Sequence, residues 1–220
     1  MRIKKKKHLK ERLANASEYL IVAERDISNV IEAIKDKRYI DIDKVFSNEN
    51  EVCLEIGCGK GGFVTEMAQL NKDKNFLAVE MLENIIVMAI ENAKNKSLNN
   101  VRFINTGAEY LTRYIKDHTI STIYLNFSPP YPPKSYENRR LTNDRFISTY
   151  KQMLKEDGVI YQKTDDKDFF EYSKEKFIAN GFKVEVLNAD VQHDFVNVKT
   201  EYEKKFESIG LPIYRLVARL

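Results

Sequence analysis

The sequence predicts an α/β chain: a doubly wound, mainly parallel sheet with helices on both faces and an N-terminal helical extension. Three observations carry this. Short apolar runs alternate with stretches at helical spacing from residue 51 to the C-terminus. A strand-like run, Val52-Cys53-Leu54-Glu55-Ile56, enters a turn holding four of the chain's eight glycines, Gly57, Gly59, Gly61 and Gly62. A second run, Phe76-Leu77-Ala78-Val79, again ends in an acid, Glu80, roughly 20 residues past that turn, as in a βαβ unit.

The elements follow in order. Leu13, Ala16, Leu20, Ala23, Ile27, Val30, Ile31 and Ile34 fall at helical spacing and predict one or two amphipathic helices in the segment 1–50. Ser47-Asn48-Glu49-Asn50 breaks the pattern before the first strand of the domain, 51–220. Phe63, Met67 and Leu70 mark a helix after the glycine turn, and 76–79 a second strand. Ile85, Met88, Ala89, Asn92 and Ala93 predict a helix ending near Asn95. A third strand is expected over 101–104, a short helix at Leu111 and Ile115, and a fourth strand over 122–127. Phe146 to Leu154 reads as helix. Gly158 opens a fifth strand, 159–162. A helix over 169–179 ends at Asn180-Gly181, and strands follow at 182–187 and 213–218. Ligands of such a sheet belong at the carboxyl ends of its strands.

Composition bounds the function. The 220 residues suit one domain with an appendage, and 43% apolar with 31% charged residues suits a soluble globular protein. No apolar run approaches the ~20 residues of a membrane helix, and the basic start is followed by no secretory signal pattern. The only two cysteines, Cys53 and Cys58, lack metal-ligand spacing and read as packed thiols, so a cytoplasmic setting and no metal are expected. Net charge is +3, but Arg2, Lys4, Lys5, Lys6, Lys7, Lys10 and Arg12 crowd the start. Such an arm suits phosphates, or is a solvated tail.

Gly57, Gly59 and Gly62 satisfy the dinucleotide pattern G-x-G-x-x-G. Glu55 argues against that ligand. A carboxylate two residues before the turn repels a pyrophosphate, whereas it attracts the ammonium and sulfonium of S-adenosylmethionine. Glu80 is placed to accept from ribose hydroxyls. A second cluster, Asn126-Phe127-Ser128-Pro129-Pro130-Tyr131-Pro132-Pro133-Lys134, holds four of the five prolines and reads as a rigid loop, expected beside the glycine turn. Tyr131 is a candidate to stack on a base. Lys134, Arg139 and Arg140 suit phosphates.

Ser128-Pro129-Pro130-Tyr131 alone resembles the loop of amino-methyltransferases acting on DNA bases. The wider pattern points elsewhere. Tyr124 to Ser128, Arg139-Arg140-Leu141-Thr142, Lys163-Thr164-Asp165, Phe170 to Ser173, Thr200-Glu201-Tyr202-Glu203-Lys204-Lys205-Phe206 and Gly210 to Tyr214 resemble, in order, the bacterial tRNA (guanine-N7)-methyltransferases. The resemblance implies a Rossmann-like methyltransferase sheet and methyl transfer from S-adenosylmethionine to a guanine of the tRNA variable loop, by a monomer or homodimer. It implies a donor-binding set of Glu55, Gly57, Gly59, Glu80, Met81, Gly107, Ala108, Asn126 and Pro129. Asp165 matches the carboxylate associated with the guanine and is the catalytic candidate. Tyr131, Lys134, Arg139, Arg140, Asp165, Thr200, Glu201, Tyr202 and Glu203 form the implied substrate set. The chain departs from the family in three places. Pro129-Pro130-Tyr131-Pro132-Pro133 replaces the usual Asp-Pro-Trp-Pro-Lys. Gly107-Ala108 replaces an Asp-Ala pair, and Thr164-Asp165-Asp166 replaces Thr-Asp-Asn. A donor- and RNA-binding protein that no longer methylates, and a DNA amino-methyltransferase, stay open as alternatives.

Overall fold

A computed structural model describes residues 6–21, 23, 29–187 and 198–220. Arg2, Lys4, Lys5 and Ile27 lie outside the described residues. Among the described residues eight strands form a mainly parallel sheet, and the chain divides by its contacts into two units, Met1–Tyr114 and Ile115–Leu220. The first unit holds the N-terminal helices together with four of the strands.

In the first unit, β1 (Leu20–Ile21), β2 (Glu51–Ile56), β3 (Lys74–Val79) and β4 (Val101–Ile104) run parallel in the order β1-β4-β3-β2. The unit also holds α1 (Leu9–Ala14), α2 (Val30–Lys35), α3 (Ile42–Phe46), α4 (Gly62–Leu70), α5 (Glu83–Asn95) and α6 (Leu111–Tyr114). Leu54, Leu77, Ile86, Ile90, Val101 and Phe103 are fully buried, which is why the strands read as continuous apolar runs rather than alternating ones. Asn29 and Asp41 start α2 and α3 by accepting backbone N–H bonds into their side chains.

The expected helix through Leu20 is corrected here. Leu20 and Ile21 pair with Phe103 and Ile104 as an edge strand, and Ile31 faces solvent. Pairing with an open sheet edge overrides the local helical spacing.

In the second unit, β5 (Ile120–Asn126) and β6 (Leu154–Thr164) are parallel, while β8 (Tyr214–Arg219) lies antiparallel between β6 and β7 (Lys183–Val186). Helices α7 (Asp144–Met153), α8 (Lys167–Ala179) and α9 (Glu201–Ser208) complete it. β6 starts at Leu154, earlier than expected, but its register on β5 jumps between Ile120↔Leu154 and Thr122↔Val159. Residues 155–158 therefore form an irregularity, and regular pairing resumes at Val159, the first residue after Gly158. A Cβ at Gly158 would stand 2.8 Å from the Lys155 carbonyl oxygen, so the close approach there needs glycine. No helix among the described residues is long and apolar enough to cross a membrane.

Candidate functional site

The first unit builds its site at the carboxyl ends of β2, β3 and β4. Gly57 and Gly59 take φ of 82° and 56°, a region costly to other residues, and a Cβ on either would meet only open space. Gly61, at φ 77°, is different: its added Cβ would stand 2.7 Å from Cβ of Ala89 on α5. The packing role of a glycine fingerprint thus falls to Gly61. Three of the turn's amides are engaged. Gly57 and Cys58 both donate to the Val79 carbonyl, at 2.8 and 3.0 Å, and Gly61 donates to the Cys58 carbonyl.

Two carboxylates converge on it. Glu55 is 3% exposed. Glu80 is half-buried, and its Oε1 accepts the Leu82 N–H at 2.9 Å, fixing the entry to α5. Both act on one reporter: the buried Cys58 thiol is pushed well above its ordinary value by burial, then by Glu55 and Glu80. Cys58 is therefore a protonated, packed thiol, and Cys53 is likewise buried and free. Met81 is exposed at this end, and Gly107 and Ala108 are buried after β4. Asn105 Nδ2 donates to the Glu80 carbonyl at 2.8 Å, tying the β3 and β4 loops together. With open space over Gly57 and Gly59 and two acids beside it, the donor set of this unit fits a cationic, ribose-bearing ligand such as S-adenosylmethionine.

The second unit carries the proline-rich loop. Phe127 and Tyr131 both have positive φ, 50° and 45°. Bulky residues rarely adopt this region, and each such residue stores roughly 1–3 kcal/mol of strain. They bracket Ser128-Pro129-Pro130. The loop is pinned from inside: Arg140 donates to the Pro130 and Tyr131 carbonyls at 2.8 and 3.2 Å and lies 4.3 Å over the Tyr172 ring. Arg140 is thereby engaged in holding the loop, whereas Lys134 and Arg139 are exposed, with Arg139 stacked on Tyr136. Asn126 is buried at the end of β5, Pro129 is exposed and Tyr131 is half-buried.

Asp165 and Asp166 follow β6 and differ in role. Asp166 caps α8, accepting the Phe169 N–H at 2.8 Å. Asp and Asn cap helices about equally well, which accounts for the departure at this position. Asp165 is exposed.

The block 200–203 splits in two. Thr200 and Glu203 form a capping box, and Glu203 is wholly buried against Lys163 at 2.9 Å and Arg215 at 2.7 Å. Glu201 and Tyr202 face outward, and Tyr202 stacks on Phe127 with ring centroids 6.0 Å apart. A capping box is legible as Thr-x-x-Glu. That its acid also binds Lys163, forty residues away, is not.

A family model described as "Putative methyltransferase" matches residues 49–216. The chain is 37% identical to a tRNA (guanine-N(7)-)-methyltransferase of Streptococcus thermophilus (strain CNRZ 1066), over all of this chain and 99% of that protein. It is 40% identical to one from Clostridium botulinum (strain Okra / Type B1), covering 80% of this chain and 85% of that one. Among solved structures it is similar to the 16S rRNA methyltransferase KamB, with a TM-score of 0.58 at 10% identity over 90% of this chain and 95% of that one. It is also similar to a precorrin-6y C5,15-methyltransferase from Geobacter metallireducens GS-15, with a TM-score of 0.55 at 18% identity over 91% and 94%. These structural likenesses establish the fold.

Proposed function

The chain belongs to the tRNA (guanine-N(7)-)-methyltransferase family, and from there we propose that it methylates N7 of a guanine in the variable loop of tRNA, in the cytoplasm, with S-adenosylmethionine as donor. The observation that carries this reading is the pair Glu55 and Glu80, whose carboxylates both act on the Cys58 thiol at the glycine turn. Two acids at a turn suit a ligand bearing cations and hydroxyls rather than phosphates.

The donor supplies an electrophilic methyl on a cationic sulfur; the protein supplies position. Guanine N7 carries an exposed lone pair, so the transfer needs no general base, only alignment and exclusion of water. The purine ring gains positive charge as the bond forms, and a fixed carboxylate near it lowers the barrier. Asp165 is the group that fills this role, because it is exposed beyond β6 while its neighbour Asp166 is held as a helix cap. The alternative role for its carboxylate is to accept from guanine N1–H and the 2-amino group. Tyr202, backed by Phe127 and Phe206, offers an outward ring for a base. Lys134 and Arg139 offer cations to the RNA backbone. Thr200 and Glu203 act from inside by holding α9, and Arg140 by holding the loop.

Mass spectrometry of nucleosides from tRNA incubated with the protein and donor tests this. Appearance of 7-methylguanosine is the expected result. Donor binding with no methylated nucleoside in tRNA would leave a binding protein only, and label entering DNA instead would select the amino-methyltransferase reading.

A further inference from the structure

Three unfavourable features fall within five residues of the second unit's loop. Phe127 and Tyr131 hold left-handed backbone, at φ 50° and 45°, which glycine would adopt without strain. Between them the Ser128 hydroxyl is buried and, among the described residues, has no hydrogen-bond partner. A serine hydroxyl commonly bonds the backbone N–H two residues on. Here that residue is Pro130, which has no N–H. Stability alone gives a segment no reason to keep all three, and such features gather where a protein acts on a ligand.

Two contacts hold Phe127 in its turn. Its N–H donates to the Lys163 carbonyl at 2.8 Å, one step past the last paired residues of β5 and β6, Asn126 and Lys163. Its ring stacks on Tyr202, with centroids 6.0 Å apart and 23° between the planes, and lies 5.9 Å from that of Phe206. Both of those rings stand on α9, and α9 is fixed to the same lysine. Glu203, next to Tyr202, accepts from Lys163 Nζ at 2.9 Å. Lys163 thus sets Phe127 through its carbonyl and Tyr202 through its side chain. Tyr202 is 60% exposed, so much of that ring is free to meet a ligand. An exposed ring adds little to a core, whereas a flat ring backed by two others is a surface for a planar base.

We propose that Phe127 is a positioning residue that couples base capture to the loop. A tRNA base on Tyr202 extends the stack, and the stack holds the backbone of Phe127 in the turn that places residues 128–131. The proposal rests on the tRNA reading above. It adds that Phe127 acts on methyl transfer through Tyr202, without touching the reacting atoms. Leucine at this position would keep apolar volume and lose the flat face. Asparagine tolerates positive φ, so it would keep the turn and lose the ring.

The test is a double-mutant cycle on kcat/KM for tRNA, with the wild type, Phe127→Leu, Tyr202→Ala and the double variant. Phe127→Leu is expected to lower kcat/KM by about three- to tenfold, the worth of one aromatic pair. Tyr202→Ala is expected to lower it by about tenfold, the worth of one stacked base. The double variant loses no more than Tyr202→Ala alone, because the two residues act as one unit. Phe127→Leu lowers kcat as well as raising KM, and calorimetry shows its affinity for S-adenosylhomocysteine unchanged. Phe127→Tyr, which keeps a flat ring, regains most of the loss. Losses that multiply in the double variant, a wild-type kcat/KM in Phe127→Leu, or a Phe127→Tyr as poor as Phe127→Leu would each overturn the coupling. Should Phe127→Leu fail to fold, Phe127→Asn takes its place in the cycle under the same expectations. A wild type that forms no 7-methylguanosine in tRNA fails the reading itself, whereas one that methylates tRNA while the losses multiply fails this coupling alone.

Discussion

Lys163 on β6 and Arg215 on β8 stand directly opposite each other in an antiparallel pair, two buried cations in register. Like charges so placed repel, and burial pulls the Lys163 ammonium below its ordinary value while Glu203 pulls it back up. Glu203 resolves the conflict by giving one carboxylate oxygen to each: Oε2 to Lys163 and Oε1 to Arg215. Lys163 also donates to the Val198 carbonyl at 3.0 Å, so one cluster joins β6, β8, the 198–200 stretch and α9.

Glu203→Gln leaves two facing cations without their counter-charge. Removing one member of a buried pair costs roughly 3–5 kcal/mol. Urea unfolding should show a loss of that size. A change under about 1 kcal/mol, the worth of an exposed pair, would mean that the cluster is not what holds α9.

Glu55→Ala should weaken S-adenosylhomocysteine binding by roughly 10–100-fold, the range for a hydrogen bond to a charged group. Calorimetry measures it. Little change in stability is expected, since removing an acid from a mostly apolar neighbourhood also relieves its desolvation.

Gly61→Ala should destabilise the fold by about 1–3 kcal/mol more than Gly59→Ala. Both positions have positive φ, but only the Cβ at 61 collides with Ala89 on α5. Comparison of the two melting curves decides it, and equal losses would show that backbone strain alone matters at this turn.

Asp165→Asn should slow methyl transfer by roughly 10²-fold with donor affinity kept, because the lost charge acts on the cationic purine rather than on the donor. Single-turnover transfer of labelled methyl reads the rate, and an unchanged rate would remove Asp165 from the chemistry.

The docking of α1 on α5 should depend on acid pH. Arg12 grips Glu91 with two hydrogen bonds of 2.6 Å, holding the Glu91 carboxyl below its ordinary value. A lowered pKa gives stability that is full above the unfolded value, about 4.3, and that is lost as pH falls through the lower folded one. The pair is partly exposed, so the effect is modest and local. Amide exchange over Leu9–Ala14 should speed up below that point, and Glu91→Gln should remove the dependence.

The order of residues was enough to specify the alternation of strands and helices from residue 51 onward and the glycine turn with its two acids. Each of these is set by neighbours within a few residues: apolar period and positive φ. Which charged residues turn inward was left to the packed chain. Glu203 meets Lys163 and Arg215, Arg140 closes on its own loop, and Leu20 and Ile21 become a sheet edge. Spacing along one element says which of its faces is buried, but not which distant side chain waits there. That depends on charges brought together from far along the chain.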